Sequence, residues 1–384
     1  MILKKINAWL HLWLGLASGI VIVIVGFTGC ILVFETEIKD VTLSHLHADN
    51  PEKSKMLPPS QLWKVVHEAI PDKKIYSVWY HGKDQTAHFS IDSDSLIYVN
   101  PYTGKIVAMI DHEDFFDFML NGHTRLWIEG ELGPGIVKYA TLIFFLLLIT
   151  GMVLWWPKKW TKSEIDKGFK IKWKAKFKRI NYDLHNVLGF YSLTLVVIIT
   201  ATGLVMSFAW FSKGVYWLAS AGKTAPAYER AFSDTSSVNK IANLGNIDKA
   251  WKIGVEQIGV YNKDAIIVSF PTRGSDPIEL CTDMQNGSWR YVNLDQHTLK
   301  QLPSDTQIDK LSVAQWLRRT NYALHVGAIG GVTTKILYFL ASLICTSLPI
   351  TGFYIWWGKQ RKGKKKVRKN RQSLHFNPSN LSSI

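Results

Sequence analysis

Polar and apolar positions segregate along this chain into four long apolar runs, at roughly 10–34, 136–156, 184–211 and 334–357, separated by sequence of ordinary polarity. Each run can cross a hydrocarbon core of about 30 Å at about 1.5 Å per residue, so the pattern predicts four transmembrane helices. The first run follows Lys4 and Lys5 but is longer than a signal-peptide core and precedes no small-x-small cleavage site, so it reads as an uncleaved anchor. Between the runs the period changes to two. Residues 55–110 predict a helix at Pro59–Ile70, strands at Ile75–His81, Thr86–Ile91 and Ser95–Asn100, a turn at Pro101-Tyr102-Thr103-Gly104 and one more strand. Residues 246–302 predict the same order, with a helix at Ile247–Ile258, strands near Ala265–Phe270, Ile278–Thr282 and Ser288–Asn293, and a turn at Leu294-Asp295-Gln296-His297.

The repetition extends to single residues. Lys5-Ile6-Asn7-Ala8-Trp9-Leu10-His11 is echoed by Arg179-Ile180-Asn181-Tyr182-Asp183-Leu184-His185 and by Arg319-Thr320-Asn321-Tyr322-Ala323-Leu324-His325. An offset of 174 residues places Leu14 on Leu188, Gly15 on Gly189, Ser18 on Ser192, Thr28 on Thr202 and Gly29 on Gly203. Thr150-Gly151, ending in Trp155-Trp156, is answered by Thr351-Gly352, ending in Trp356-Trp357. The expected fold is therefore an α-helical integral membrane protein, with four transmembrane helices in two duplicated halves that each carry a small α+β domain. Its predicted parts are helix 1 with a short N-terminus (1–35), a first module (36–135), helix 2 (136–157), a basic loop (158–183), helix 3 (184–212), a second module (213–333), helix 4 (334–357) and a basic tail (358–384).

Charge orients this arrangement. Residues 1–9 carry two basic side chains and no acids, 157–181 ten basic and two acidic, and 358–384 nine basic and none acidic. Those pieces hold +19 against +15 for the whole chain, leaving −4 for the rest. By the positive-inside rule both termini and the central loop are expected in the cytoplasm, with both modules on the opposite side. The tail sequence Lys364-Lys365-Lys366-Val367-Arg368-Lys369 directly follows a membrane helix and has no aromatic context, which points to anionic lipid and away from nucleic acid. Cys30, Cys281 and Cys345 form no CxxC pair or disulfide framework, so redox chemistry here would need a cofactor.

An imidazole at the mouth of an apolar helix is costly unless it has a task. His11 and His185 are each followed four residues later by a glycine, Gly15 or Gly189, on the same helix face. Such glycines suit close helix packing, and they also leave room for a flat cofactor such as a haem held between two imidazoles. His123 and His325 form a second candidate pair near the opposite membrane surface. His123 departs from the repeated phrase, and Gly133-Pro134-Gly135 offers a helix break between it and helix 2. Lys5, Arg179, Arg319 and Arg125 are candidate partners for anionic haem propionates, with Asn7, Asn181 and Asn321 one turn before the recurring histidines.

The pattern His11 to Thr28-Gly29, its copy His185 to Thr202-Gly203, and the Thr-Gly-x-x-x-Trp-Trp endings resemble the PepSY-associated transmembrane family over nearly the whole chain. Pro157 after the first Trp-Trp becomes Gly358 after the second, a departure at a helix exit. The resemblance implies PepSY-like periplasmic modules in the inner membrane of a cell, and iron-uptake-linked redox proteins that include haem-containing ferrisiderophore reductases. Carried onto this sequence, it implies two bis-histidine b-type haems ligated by His11, His185, His123 and His325. It further implies a cytoplasmic or quinol electron donor and a ferric siderophore or other ferric chelate as acceptor. Trp79, Tyr80, Trp127 and Trp217 are candidate chelate contacts, with core packing as the competing reading. Two other classes are consistent with parts of the pattern. A non-redox regulator would use PepSY-like modules to bind peptides or restrain a peptidase. A metal transporter would use the histidines along a path, but the apolar runs hold no carboxylates to neutralise a passing cation.

Overall fold

A computed structural model describes the chain except residues 1, 51–53, 94, 112–113, 158, 227–229, 237–240, 242, 260–264, 283–288, 304–310 and 376–384. In chain order, α1 (Ile2–Leu32) is followed by α2 (Glu35–Thr42), α3 (Pro59–Ala69), strands β1 (Ile75–Tyr80), β2 (Ala87–Ile91), β3 (Ser95–Val99) and β4 (Ile106–Asp111), then α4 (Phe115–Arg125) and α5 (Leu132–Trp155). The second part runs α6 (Lys162–Phe169), α7 (Phe177–Asp183), a π-helical turn over Leu184–Leu188, α8 (Gly189–Ser207), α9 (Ala209–Ala219), α10 (Leu244–Ile258), β5 (Ile266–Ser269), β6 (Ile278–Thr282) and β7 (Tyr291–Leu294). It closes with α11 (Val313–Arg319), α12 (Asn321–Val326) and α13 (Gly331–His375). Ser288, at the expected start of the last strand, lies outside the described residues, as do 376–384 of the basic tail.

Two compact units emerge, each assembled from separated parts of the chain. One comprises residues 1–31, 119–204 and 336–384; the other comprises 32–118 and 205–335.

The first unit is helical. Among the described residues, four helical stretches are long and apolar enough to cross a membrane: Ile2–Leu32, Leu132–Trp155, Phe177–Ser207 and Ala328–Arg361. Within this unit, Ile22 of α1, Ala140, Phe144, Leu147 and Leu148 of α5, Val196 of α8 and Ala341 of α13 form one buried cluster. Small residues set the approach of α1 to α13. A Cβ on Gly26 would collide with Thr346 Oγ1, and one on Gly19 would lie 3.3 Å from Pro349 Cβ, so the backbone of α1 runs directly against its neighbour. The break between α4 and α5 falls at Leu126, Trp127 and Gly130, all with positive φ, rather than at Gly133-Pro134-Gly135. Pro134 instead occupies the first turn of α5, where its missing N–H costs nothing because no intrahelical acceptor is available to it.

In the second unit the two expected modules fuse. Their strands form one continuous antiparallel sheet in the order β4-β3-β2-β1-β5-β6-β7, where the sequence pattern had suggested two separate domains. The seam is the β1–β5 pair, with Ser77 opposite Ser269, Val78 opposite Val268, Trp79 opposite Ile267 and Tyr80 opposite Ile266. Period-two alternation explains why the sheet forms: Val78, Phe89, Ile97, Val268, Leu280 and Val292 all turn toward one core. The helices α3 and α10 cover that face through Leu62, Val66, Ile247, Ala250 and Trp251. They are tied together where Ser60 N and Oγ donate to the two oxygens of Asp248 at 2.8 and 2.6 Å. Tyr80 belongs to this core, stacked on Trp251 and donating its hydroxyl to Leu57 O, so it is packing rather than a chelate contact. Trp217, by contrast, is exposed on α9.

Candidate functional site

The helical unit places His11 and His185 in matching surroundings, each fixed by the next long helix in the chain. From α1, Asn7 Nδ2 donates to the Thr150 carbonyl at 3.0 Å, and one turn further His11 Nδ1 meets Thr150 Oγ1 at 2.9 Å. The π-helical turn and α7 make the same pair of contacts with α13: Asn181 Nδ2 to the Thr351 carbonyl at 3.0 Å, and His185 Nδ1 to Thr351 Oγ1 at 2.9 Å. The Asn-x-x-x-His spacing puts both side chains on one helix face, one turn apart. Asparagine and histidine thus work as a two-point clasp on a single threonine.

The glycine after each threonine makes the clasp possible. A Cβ on Gly151 would come within 3.2 Å of His11 Cε1, and one on Gly352 within 3.3 Å of His185 Cε1, tighter than ordinary packing. The Cε1–Nδ1 edge of each imidazole therefore approaches bare backbone. Gly15 and Gly189 are less constrained: a Cβ there would meet Leu147 at 3.9 Å and Leu348 at 3.5 Å. They act as ordinary close-packing positions between adjacent helices.

His123, on α4, is held in a related way. Its Nδ1 lies 2.9 Å from the Val25 carbonyl and 3.2 Å from Thr28 Oγ1, and its Cε1 would be 3.1 Å from a Cβ on Gly29. Three of the four Thr-Gly pairs in the apolar helices therefore seat a histidine of this unit. His325 lies on α12 in the other unit, near Asn321, which is buried, and Arg319, whose guanidinium sits over the Tyr291 ring.

These residues fit a bis-imidazole haem at His11 and His185. Each is half-buried, and neither Nε2 has a hydrogen-bond partner among the described residues or is sealed off as a buried orphan. An anchored Nδ1 and an available Nε2 make a donor set suited to iron. Of the expected propionate partners, Lys5 and Arg125 are exposed. Arg179 is engaged by the fully buried Asp183, its Nε 2.8 Å from Oδ1 and 3.0 Å from Oδ2.

The sequence reading missed the threonines as histidine partners. Their signal was the recurrence of Thr-Gly itself, four times at matched positions in the apolar runs. It also missed an imidazole cluster in the sheet unit. His81 Nε2 and His88 Nδ1 lie 2.7 Å apart, His88 stacks on Trp79, and Tyr98 touches both His88 and His45. Burial pushes His81 down to about 4, so it is neutral at ordinary pH. Among the described residues no group of three or more His, Cys, Asp or Glu side chains is arranged to hold a metal ion.

Four membrane-spanning stretches, clasped in pairs around anchored histidines and accompanied by a helix-covered sheet, define a helical membrane protein with a histidine-based site in its apolar unit. The model of the PepSY-associated TM region matches residues 8–359, and the chain belongs to that family. No curated protein matches it.

Proposed function

We propose that the protein is a di-haem b-type oxidoreductase of the inner membrane that passes electrons across the bilayer to a periplasmic ferric chelate, such as a ferric siderophore, in iron acquisition. The observation that carries this reading is the pair His11 and His185, each with Nδ1 anchored and Nε2 open. Haem b held by two imidazoles supplies one-electron redox chemistry that no side chain here provides. The chain's own contribution is to hold the ligands. Asn7 and Asn181 fix the helix register, and Gly151 and Gly352 admit the rings. The apolar cluster around Phe144 and Leu147 keeps water and its high dielectric away.

His123 and His325 are the further ligands the family resemblance implies, and Lys5, Arg125, Arg179 and Arg319, with Asn321, remain candidates for polar contacts to the cofactors. The basic loop and tail would face the cytoplasm and its anionic lipid, with both termini inside and the sheet unit in the periplasm. Reduction suits release of iron, because hard oxygen ligands favour Fe(III) and hold the ferrous ion far less well. The donor would be a quinol or a cytoplasmic reductant.

The test is the absorption spectrum of detergent-purified protein, oxidised and dithionite-reduced, beside alanine replacements of His11, His123, His185 and His325. A b-type spectrum with two haems per chain, halved by each replacement, is the expected result. A colourless protein from haem-replete cells overturns the proposal and leaves a peptide-binding regulator as the better reading.

A further inference from the structure

Thr150 and Thr351 each face an imidazole with a hydroxyl oxygen 2.9 Å from Nδ1. A hydroxyl has one hydrogen, and here its own helix offers acceptors for it. Thr150 Oγ1 donates to Leu147 O at 3.1 Å, and Thr351 Oγ1 has Ser347 O and Leu348 O, both at 3.0 Å. A hydrogen committed there leaves the oxygen only as an acceptor, and the nitrogen opposite is then the donor.

His123 makes the same choice without ambiguity. Its Nδ1 lies 2.9 Å from the Val25 carbonyl, which has no hydrogen to give, while Thr28 Oγ1 donates to Ile24 O and Val25 O. Val25 stands three residues before Thr28, as Leu348 stands three before Thr351, and Leu348 O accepts from the Thr351 hydroxyl as Val25 O does from Thr28. The two seats therefore share one construction: a threonine hydroxyl, bonded to the carbonyl three residues earlier, is presented to Nδ1.

We propose that Thr150 and Thr351 are positioning residues that lock His11 and His185 in the Nδ1–H tautomer, so that two Nε2 lone pairs are presented as ligands before any iron arrives. A neutral imidazole carries its lone pair on the nitrogen that lacks the proton. The opposite tautomer would place an N–H where the metal must bind. Threonine suits the task because its branched Cβ restricts χ1 while its hydroxyl stays bonded to the preceding turn. The bond to Oγ1 also makes the ring more basic, which favours the ferric state of a bound iron. The purpose of the device rests on the haem reading; its geometry does not.

The experiment separates the two. Full-length protein with ¹⁵N-labelled histidine is prepared haem-free in detergent, and the ring nitrogens of His11 and His185 are assigned through single alanine replacements. Both should show a protonated Nδ1 and an unprotonated Nε2. Thr150→Val and Thr351→Val should each release their own histidine to a tautomer mixture, and Thr150→Ser and Thr351→Ser should keep the wild-type pattern. In haem-loaded protein the valine variants should weaken haem retention by about 10–100-fold, raise the midpoint potential and alter the low-spin electron paramagnetic resonance signature, with serine restoring all three. An Nε2–H tautomer in the wild-type protein, or valine variants with unchanged tautomer and unchanged potential, overturns the inference. A locked Nδ1–H tautomer in a protein that never takes up haem leaves the inference standing and removes the haem reading instead.

Discussion

Replacing Arg179 by leucine should destabilise the helical unit by far more than an ordinary surface substitution. The Asp183 carboxylate is 0% exposed, and its Oδ2 has two donors: Arg179 Nε at 3.0 Å and the Lys172 backbone N–H at 3.2 Å. Removing the guanidinium leaves a buried charge with one backbone hydrogen bond. Breaking a buried pair in this way costs about 3–5 kcal/mol, whereas an exposed pair is worth about 0.2–1 kcal/mol. Lys167 and Glu164, with side chains 44% and 40% exposed, supply the exposed comparison in the same loop. Arg179→Leu should lower the apparent melting temperature in detergent, followed by tryptophan fluorescence, by on the order of 10 °C, and Glu164→Ala should move it by about a degree. Asp183→Leu in the Arg179→Leu background removes the orphaned charge and should recover most of the loss. The reasoning is refuted if Arg179→Leu melts within about a degree of the wild type, or if the two substitutions are simply additive. Either result would mean that water reaches Asp183 and that Arg179 is free for another anion.

At the α1–α13 crossing, Gly26→Val should be strongly destabilising, whereas Gly26→Ala paired with Thr346→Ala should be tolerated, because the clash is with Thr346 Oγ1; thermal melts of the three proteins decide it. The sheet unit should lose stability in acid through His81. Its unfolded imidazole takes up a proton near 6.5 and its folded one only near about 4, so the stabilisation is complete above about 6.5 and is lost as pH falls toward 4. That shift is worth up to about 3 kcal/mol, and His81→Gln should flatten the pH dependence of unfolding across that window. A Val268→Pro substitution removes a ladder N–H at the β1–β5 seam and should expose both halves of the sheet to limited proteolysis, while a proline at exposed Val107 of the outermost strand should do so much less.

Much of this architecture was legible because apolar periodicity reports burial directly. Strand β6 lies at the expected Ile278–Thr282, and β3, expected at Ser95–Asn100, spans Ser95–Val99. The histidines could be picked out because a polar ring in an apolar helix demands an account. The seam between β1 and β5 could not, since each strand's pattern fixes which face is buried but says nothing about which edge it pairs. The π-helical turn carrying His185 was equally hidden. His11 sits in an uninterrupted α1 with nearly the same flanking sequence, so the difference arises from tertiary packing rather than from local preference. The threonine clasp required knowing that α1 lies against α5, and α7 against α13, which four similar apolar runs do not reveal. Arg179 stood out as a candidate propionate partner because the repeated phrase drew attention to what its copies share, which left its ion pair unread. Its partner, Asp183, is a residue they do not share: Trp9 stands at that position in the first copy and Ala323 in the third.

The continuous sheet also constrains how the chain can be made. Tyr80 and Ile266 pair across the seam although 186 residues separate them in sequence. During synthesis β1 must wait, edge open and hydrophobic face formed, until β5 emerges. A ribosome stalled after the first half would leave a strand ready to pair with any neighbour, including the same strand of another unfinished chain. Co-expressing the two halves as separate polypeptides should therefore rescue what neither half achieves alone, and a chaperone that shields sheet edges should associate with the nascent chain in the interval between them.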